Sequence, residues 1–469
     1  MGLATCAGSR RFRLPAALLM TNTLPFMTAL QRSNFKHIYG DVIWYGVLHG
    51  TAIAFLNVYA ARLGATPFQI AFITSAPAVV NLLLSLPIAR WLEQRQLHGT
   101  VYRSALYHRL PYFLMATLPL WLAASAQPLA LTIITLIMAV PGTAFVIGFN
   151  AQYAQVVAPE WRLIIGGRRV AMVAASITVS ALFAGQLLDH FPFPLNYQIV
   201  FVLGGIGGLV TTYHVASLRV PQPAALHPEQ KTGAGLLEGG TAVGMLRALN
   251  PMRSGTGLRF LLRSSGRPLL RWDLLRSSYG RLMLAYLVFY IAQLMPVALF
   301  PILFVNDLLF TDGTISIATT LFHGAMVLSS LQIGRLTHRF GFRTVLLASA
   351  LIYGAHPLLG ALAIGAKTIW LGALIGGIGW GLGGSALHTH LMDSAAEADR
   401  PAYMALHNLV LNLGILIGVL LGPLLAQVAS VRVGLAASGL LMFASGAMLW
   451  QFSAATHPGH AAQQPTVAD

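Results

Sequence analysis

The chain has 469 residues, 56% of them hydrophobic and only 9% charged; soluble domains carry about 25% charged residues, so a water-exposed globule of this size is excluded. A formal net charge of +16 would suggest nucleic acid in a soluble protein, but the basic residues lie between apolar stretches, which points to lipid and away from nucleic acid. Cys6 is the only cysteine, so no disulfide framework or thiolate metal cluster can form, and no cofactor or metal is expected.

Arg10, Arg11 and Arg13 precede an apolar run from Leu14 to Leu30 that superficially resembles a signal peptide. Thr21, Asn22, Thr23 and Pro25 interrupt the run and no small-residue cleavage site follows, which favours an interfacial helix or a later initiator at Met20 or Met27. A membrane-crossing helix needs roughly 20 mainly apolar residues. Twelve stretches meet that need: 42–61, 68–91, 106–125, 128–149, 169–188, 197–217, 281–305, 313–333, 343–364, 367–388, 402–426 and 432–452. With the N-terminus inside, only Arg62, Lys367 and Arg432 of the 29 Lys and Arg fall on the outer side. This asymmetry predicts both termini in the cytoplasm, a plasma (inner) membrane location and anionic lipid headgroups as partners.

The expected organisation is a cytoplasmic N-terminal segment (1–40), a six-helix half (41–218), a basic central loop (219–280), a second six-helix half (281–453) and a cytoplasmic tail (454–469). In the central loop Arg259, Arg263, Arg267 and Arg271 recur every four residues, a cationic stripe if helical, although Gly266 and Pro268 interrupt it. The plainer reading is a solvated charged face.

The two halves repeat one another. Ser85-Leu86-Pro87-Ile88-Ala89-Arg90 stands at the end of the second span and Ser330-Leu331-Gln332-Ile333-Gly334-Arg335 at the end of the eighth. Arg162 precedes the fifth span and Arg400 the eleventh, each at a similar distance from a glycine, Gly185 or Gly422. The stretch Gly334-Arg335-Leu336-Thr337-His338-Arg339-Phe340-Gly341-Phe342-Arg343 resembles the loop between paired helices in the major facilitator superfamily. Gly334 and Gly341 allow a tight turn and close approach. Arg335, Arg339 and Arg343 can reach helix C-terminal carbonyls or carboxylates, and with Arg90 in the first copy would latch one gate state. His338 stands where that family usually has aspartate. The resemblance implies an all-α membrane protein of twelve transmembrane helices in two pseudo-symmetric six-helix halves, moving a small solute by alternating access, and expected as a monomer. A transporter-like sensor or assembly factor is the alternative; a membrane-embedded enzyme would need a nucleophile, acid pair or metal at depth, and no such constellation is legible.

All 13 carboxylates are expected in loops, tails or span ends, Asp41, Asp189 and Asp312 among them, with no arginine or lysine at depth. That pattern suits a neutral, amphipathic or weakly cationic solute and a facilitator or histidine-linked coupling. His388 and His390, two apart, do not share a helix face and give no metal site. Tyr45 and His49 share a face of the first span with Asn57 further round, and Tyr286, Tyr290 and Gln293 share one on the seventh. The resemblance makes these two helices equivalents lining a central cavity, which marks these residues as substrate-binding, with His323 on the eighth span and His407, Asn408 and Asn412 on the eleventh. Interhelical hydrogen bonding is the alternative use of such groups. Gly414, Gly418 and Gly422, four apart and followed by Pro423, predict close packing of the eleventh helix.

Overall fold

The structure, a computed structural model, describes residues 28–219, 275–393 and 400–453. The arginine stripe of the central loop and the apolar run before residue 28 lie outside the described residues. Twelve helical segments run through the described residues. They are α1 (Ala29–Arg62), α2 (Pro67–Glu93), α3 (Leu97–Arg109 and Pro111–Trp121), α4 (Gln127–Val156), α5 (Pro159–His190) and α6 (Leu195–Ala216), followed by α7 (Ser278–Asp307), α8 (Asp312–Ser330), α9 (Phe342–Ala361), α10 (Ala366–Asp393), α11 (Arg400–Val428) and α12 (Val431–Phe452). Nine are long and apolar enough to cross a membrane, or ten when α8 and the short helix Ile333–Phe340, which continues it at a 55° bend, count as one span.

Local chemistry sets the ends of these helices. Thr28 and Thr66 start α1 and α2 with reciprocal caps, each hydroxyl accepting from the glutamine three residues on while that glutamine's side chain accepts from the threonine N–H. Pro67, Pro128 and Pro159 stand in the first turns of α2, α4 and α5, where a missing N–H costs nothing. Pro111 divides α3 into pieces of 13 and 11 residues. Gly341, at φ +77°, ends the short helix and starts α9.

The packing repeats with the chain. In the first half α1 lies on α5 and α6, α2 on α4, and α3 on α4 and α6; in the second α7 lies on α11 and α12, α8 on α10, and α9 on α10 and α12. Adding six to each label converts one set of contacts into the other. The seams between halves, α5 on α8 and α2 on α11, exchange under the same operation. The glycine stripe of α11 serves this packing: a Cβ at Gly414, Gly418 or Gly422 would come within 2.6, 2.6 or 2.3 Å of Tyr290, Ile291 or Met295 of α7.

One large apolar core draws residues from both halves, among them Phe55, Leu56, Tyr59, Leu188, Leu299, Leu303, Ala373 and Leu435. These lie toward the end of the bundle that carries Arg62. The other cores belong to one half each, except that Ala174 of α5 joins the core of the second half.

Several boundaries differ from the sequence reading: the span read as 106–125 begins at Leu97 and the one read as 128–149 runs to Val156. The helix read as 42–61 begins at Ala29, and the one read as 169–188 begins at Pro159. Hydropathy ends a span where charged residues begin, but the helical backbone continues through Asp41 and Arg162 because other helices supply their partners.

Candidate functional site

The two symmetry-related helices α1 and α7 lose regular geometry, both near their middles and α7 again at its end. A π-helical turn spans His49–Ile53 in α1; α7 has a 3₁₀ turn at Met295–Val297, with Pro296, and a π turn at Leu303–Asp307. Such turns interrupt the i to i−4 ladder and are frequent at functional sites. At the α1 break the His49 ring lies 6.1 Å from that of Tyr45 and 6.0 Å from that of His323 on α8, so imidazoles from the two halves meet. The His323 Nδ1 is 2.9 Å from the Thr319 carbonyl of its own helix, which leaves Nε2 for another partner. On α7 the Tyr290 hydroxyl is 2.8 Å from His407 Nε2 of α11. One turn on, the side-chain oxygen of Gln293 is buried with no hydrogen-bond partner.

Three further candidates, Asn57, Tyr286 and Asn412, hydrogen-bond within the protein. Asn57 donates to Thr74 of α2 at 3.1 Å, the buried Tyr286 hydroxyl donates to the Leu387 carbonyl of α10 at 3.1 Å, and Asn412 donates to the Asn408 carbonyl of its own helix at 2.8 Å. Each is the hydrogen bonding that polar groups in an apolar bundle require. In the glycine-arginine segment, Gly334 and His338 are exposed, Arg335 turns back to Gln332 at 3.3 Å and Arg339 covers the Phe340 ring. Arg343 reaches a helix-terminal carbonyl, donating from Nε and Nη2 to Trp450 of α12 at 3.0 and 2.6 Å. Arg90, in the first copy, is exposed.

Sequence reasoning missed a clasp between the halves at the opposite end. Arg62, the last residue of α1, pairs with Asp312, the first of α8, at 3.0 Å and also donates to the Phe310 carbonyl. The Tyr197 hydroxyl of α6 donates to the same Asp312 oxygen at 2.9 Å. Asp189 of α5 accepts the Gly313 N–H at 3.0 Å, so one half caps a helix of the other. Below them Gly185 of α5 fits against Ser316 of α8. No spacing could have announced partners about 250 residues apart; the only local signal was an acid directly after Thr311, in helix-starting context.

The expectation of no arginine at depth is corrected. Arg109 of α3, 1% exposed, donates to Thr212 and lies over the Phe145 ring, and Arg169 of α5 is 6% exposed. Asp41, expected at a span end, is twelve residues inside α1 and 1% exposed. Its partner is Arg169 at 3.6 Å, and neither carboxylate oxygen has a hydrogen bond. Arg169 also lies over the rings of Phe149 and Tyr153 at 5.2 and 4.9 Å. Enclosure by protein, with opposite charge and aromatic faces supplied, is what allows these groups inside an apolar bundle.

Residues 282–468 match the family model of the Major Facilitator Superfamily. A stretch of 103 residues is 32% identical to the arabinose-proton symporter of Bacillus subtilis (strain 168) and spans 20% of this chain and 22% of that protein, about a fifth of its length. The fold is similar to that of a bacterial homologue of the iron transporter ferroportin in an inward-facing state, with a TM-score of 0.65 at 14% identity over 91% of this chain and all of that one. It is equally similar to a bacterial homolog of the human lysosomal transporter Spinster, inward-facing and unoccupied, with a TM-score of 0.65 at 11% identity over 92% and 98% of the two chains.

Proposed function

From the match of residues 282–468 to the Major Facilitator Superfamily model and the likeness of the whole fold to two transporter homologues, we propose that this chain is a member of that superfamily and carries a small solute across the plasma membrane by alternating access. The observation that carries this reading is the one-sided joining of two pseudo-symmetric halves. Their shared core, the Arg62–Asp312 pair and the Asp189 cap all gather toward one end of the bundle. The distribution of basic residues supports an orientation with that end outside and both termini in the cytoplasm. The state is then closed outward, as in the two inward-facing relatives by fold.

The solute site lies where α1, α7, α8 and α11 meet, with Tyr45, His49, Gln293, His323, Tyr290 and His407 facing it. These are neutral donors and acceptors on aromatic walls, suited to a neutral or weakly cationic solute that spends its own hydrogen bonds there. The segment from Gly334 to Arg343, with Arg90, belongs to the cytoplasmic gate and lies beside anionic headgroups. The protein works as a monomer, since each chain carries both halves.

The reading is tested by screening metabolites and drugs for a rise in melting temperature, then measuring flux of the stabilising ligand into proteoliposomes. A ligand bound only by the folded state stabilises by RT ln(1 + [L]/Kd). Saturable flux supports the carrier; ligand binding without flux sinks it.

Gln293 gives a sharper prediction. Its side-chain oxygen has no hydrogen-bond partner in the protein, so Gln293→Leu costs the fold no hydrogen bond at that oxygen. The melting temperature of the free protein should stay the same or rise slightly, while ligand affinity falls about fivefold, the value of one hydrogen bond of about 1 kcal/mol. A variant that loses stability and keeps its affinity would place the solute elsewhere.

A further inference from the structure

At the end of the bundle opposite Arg62, the start of α1 meets the end of α6 through two imidazoles. His37 Nδ1 lies 3.1 Å from His214 Nδ1, a residue 177 positions away in the chain. The ring centroids are 5.3 Å apart and the planes tilted by 55°, so the rings approach by their Nδ1 edges and do not stack. Both are half-buried, beside the exposed Lys36 and Tyr213, so water reaches them.

Packing fixes the pair. The His214 ring lies against Gly40, where a Cβ would come within 2.5 Å of it, so the ring sits there because that residue is glycine. Tyr213 stands beside both imidazoles, its ring centroid 6.1 Å from that of His37 and 5.4 Å from that of His214. The buried Asn34, one turn before His37, ties α1 to the backbone of Arg219 through hydrogen bonds of 2.8 and 3.0 Å. A hydrogen bond between the rings accounts for the distance, with one Nδ1 donating. Two nitrogens bound to one metal ion need the same spacing: at about 2.0–2.1 Å from the ion, with a ligand angle between about 90° and 109°, they stand about 2.8–3.4 Å apart. The charges nearby do not bar a cation. Asp41, one turn further along α1, is balanced by Arg169, and Lys36 and Arg219 are exposed, where water screens them. Among the described residues no group of three His, Cys, Asp or Glu converges on one point, so water completes the coordination and the ion exchanges with solvent.

We infer that His37 and His214 bind a divalent first-row transition ion, of the Zn²⁺, Cu²⁺ or Ni²⁺ kind, through their two Nδ1 atoms. Imidazole suits these ions, whereas Mg²⁺ and Ca²⁺ prefer oxygen ligands. The ring that carries its proton on Nδ1 moves it to Nε2 through water as the ion enters, so the ion meets two neutral imidazoles and no proton is lost or gained. The bound ion joins the start of α1 to the end of α6. Both helices belong to the first half, so the site keeps its geometry while the halves move, and the ion is a resident ligand and not cargo. That last step rests on the transport reading; ion binding itself does not.

The test uses the full chain, purified without a polyhistidine tag and stripped of metal by a chelator. ZnCl₂ and NiCl₂ should raise its melting temperature, because an ion held only by the folded site stabilises the fold, and MgCl₂ should not. His37→Gln/His214→Gln should lose the Zn²⁺ and Ni²⁺ shifts while its metal-free melting temperature stays close to that of the wild type, since each glutamine keeps a donor and an acceptor. Each single variant, measured in case the double one does not fold, should need at least about tenfold more metal for the same shift, having lost one of two ligand bonds. Gly40→Ala, which displaces the His214 ring but leaves both imidazoles in the chain, should weaken the shift as well. With Cu²⁺ as the probe, the electron paramagnetic resonance signal of the wild type minus that of the double variant should show coupling to two imidazole nitrogens. No shift in the wild type, an undiminished shift in the histidine variants, or a difference signal without two nitrogens overturns the site and leaves the pair a hydrogen bond between helices. Flux plays no part in these readouts, so a wrong transport reading would leave their outcome intact.

Discussion

Asp312→Ala should open the end of the bundle that carries Arg62. The substitution removes the partner of Arg62 and the acceptor of Tyr197 in one step. Hydrogen bonds to charged groups are each worth about 1.5–3 kcal/mol when desolvated. The Arg62 side chain is 24% exposed, so solvent recovers part of its loss, and about 2 kcal/mol, roughly 30-fold in the ratio of open to closed outer ends, is the expected net change. The measurement uses the protein's own economy of cysteines. With Cys6→Ser as background and Thr320→Cys on the seam, where Thr320 now reaches the Thr178 carbonyl of the other half at 3.4 Å, an impermeant maleimide is added from the Arg62 side. Labelling should be slow in the background protein and accelerate when Asp312→Ala is added. Arg62→Ala should act in the same direction and add little to Asp312→Ala, since both remove one interaction. Equal labelling rates in all of these would mean that the apolar core, and not the clasp, holds the end shut.

Much of the architecture was legible because it rests on local pattern. Apolar runs of roughly 20 residues placed the helices within a few residues at most ends, and the repeat of Ser85–Arg90 at Ser330–Arg335 anticipated contacts that map onto one another helix by helix. The stripe Gly414, Gly418 and Gly422 marked the face of α11 against α7 because small residues four apart lie on one face whatever they meet. Charged residues misled the reading in a consistent way. Asp41 ended the predicted first span and Arg162 to Arg169 delayed the fifth, since a hydropathy window cannot see that Arg169 neutralises Asp41 from another helix. The candidate site divided along the same line. Tyr45, His49 and His323 do come together across the halves, and Tyr290 meets His407, whereas Asn57, Tyr286 and Asn412 are spent on neighbours or on their own helix. Helical spacing tells which residues share a face; it does not tell whether a carbonyl such as that of Leu387 stands opposite. The clasp between the halves was illegible for a stronger reason: Arg62, Asp189, Tyr197 and Asp312 come from four helices in two halves, and each looked like an ordinary loop-edge residue.

Gly185→Val should prevent the Arg62 end of the bundle from closing. A Cβ at Gly185 would stand 2.1 Å from the Ser316 hydroxyl and 2.2 Å from its Cβ. Ser316 cannot turn aside cheaply: it is fully buried, and its hydroxyl donates to the Gly313 carbonyl at 2.7 Å. Ordinary carbon contact is about 3.5 Å, so α5 and α8 would have to part by about 1.3 Å. The same displacement would stretch the Asp189 bond to the Gly313 N–H, now 3.0 Å, beyond hydrogen-bonding range, and would loosen Asp312 at the head of α8. Overpacking of a closed seam costs about 1–3 kcal/mol and the lost cap about 1 kcal/mol more, which together outweigh the clasp. The variant should therefore label at Thr320→Cys at least as fast as Asp312→Ala and should fail to transport, while eluting as a monodisperse species in detergent, since neither half is disturbed internally. Ser316→Gly supplies the decisive comparison. It deletes the atoms that the new side chain meets, so Gly185→Val/Ser316→Gly should restore slow labelling and recover flux. If the pair stays open, α5 and α8 do not close on this contact, and the outer end must be sealed by some other part of the seam.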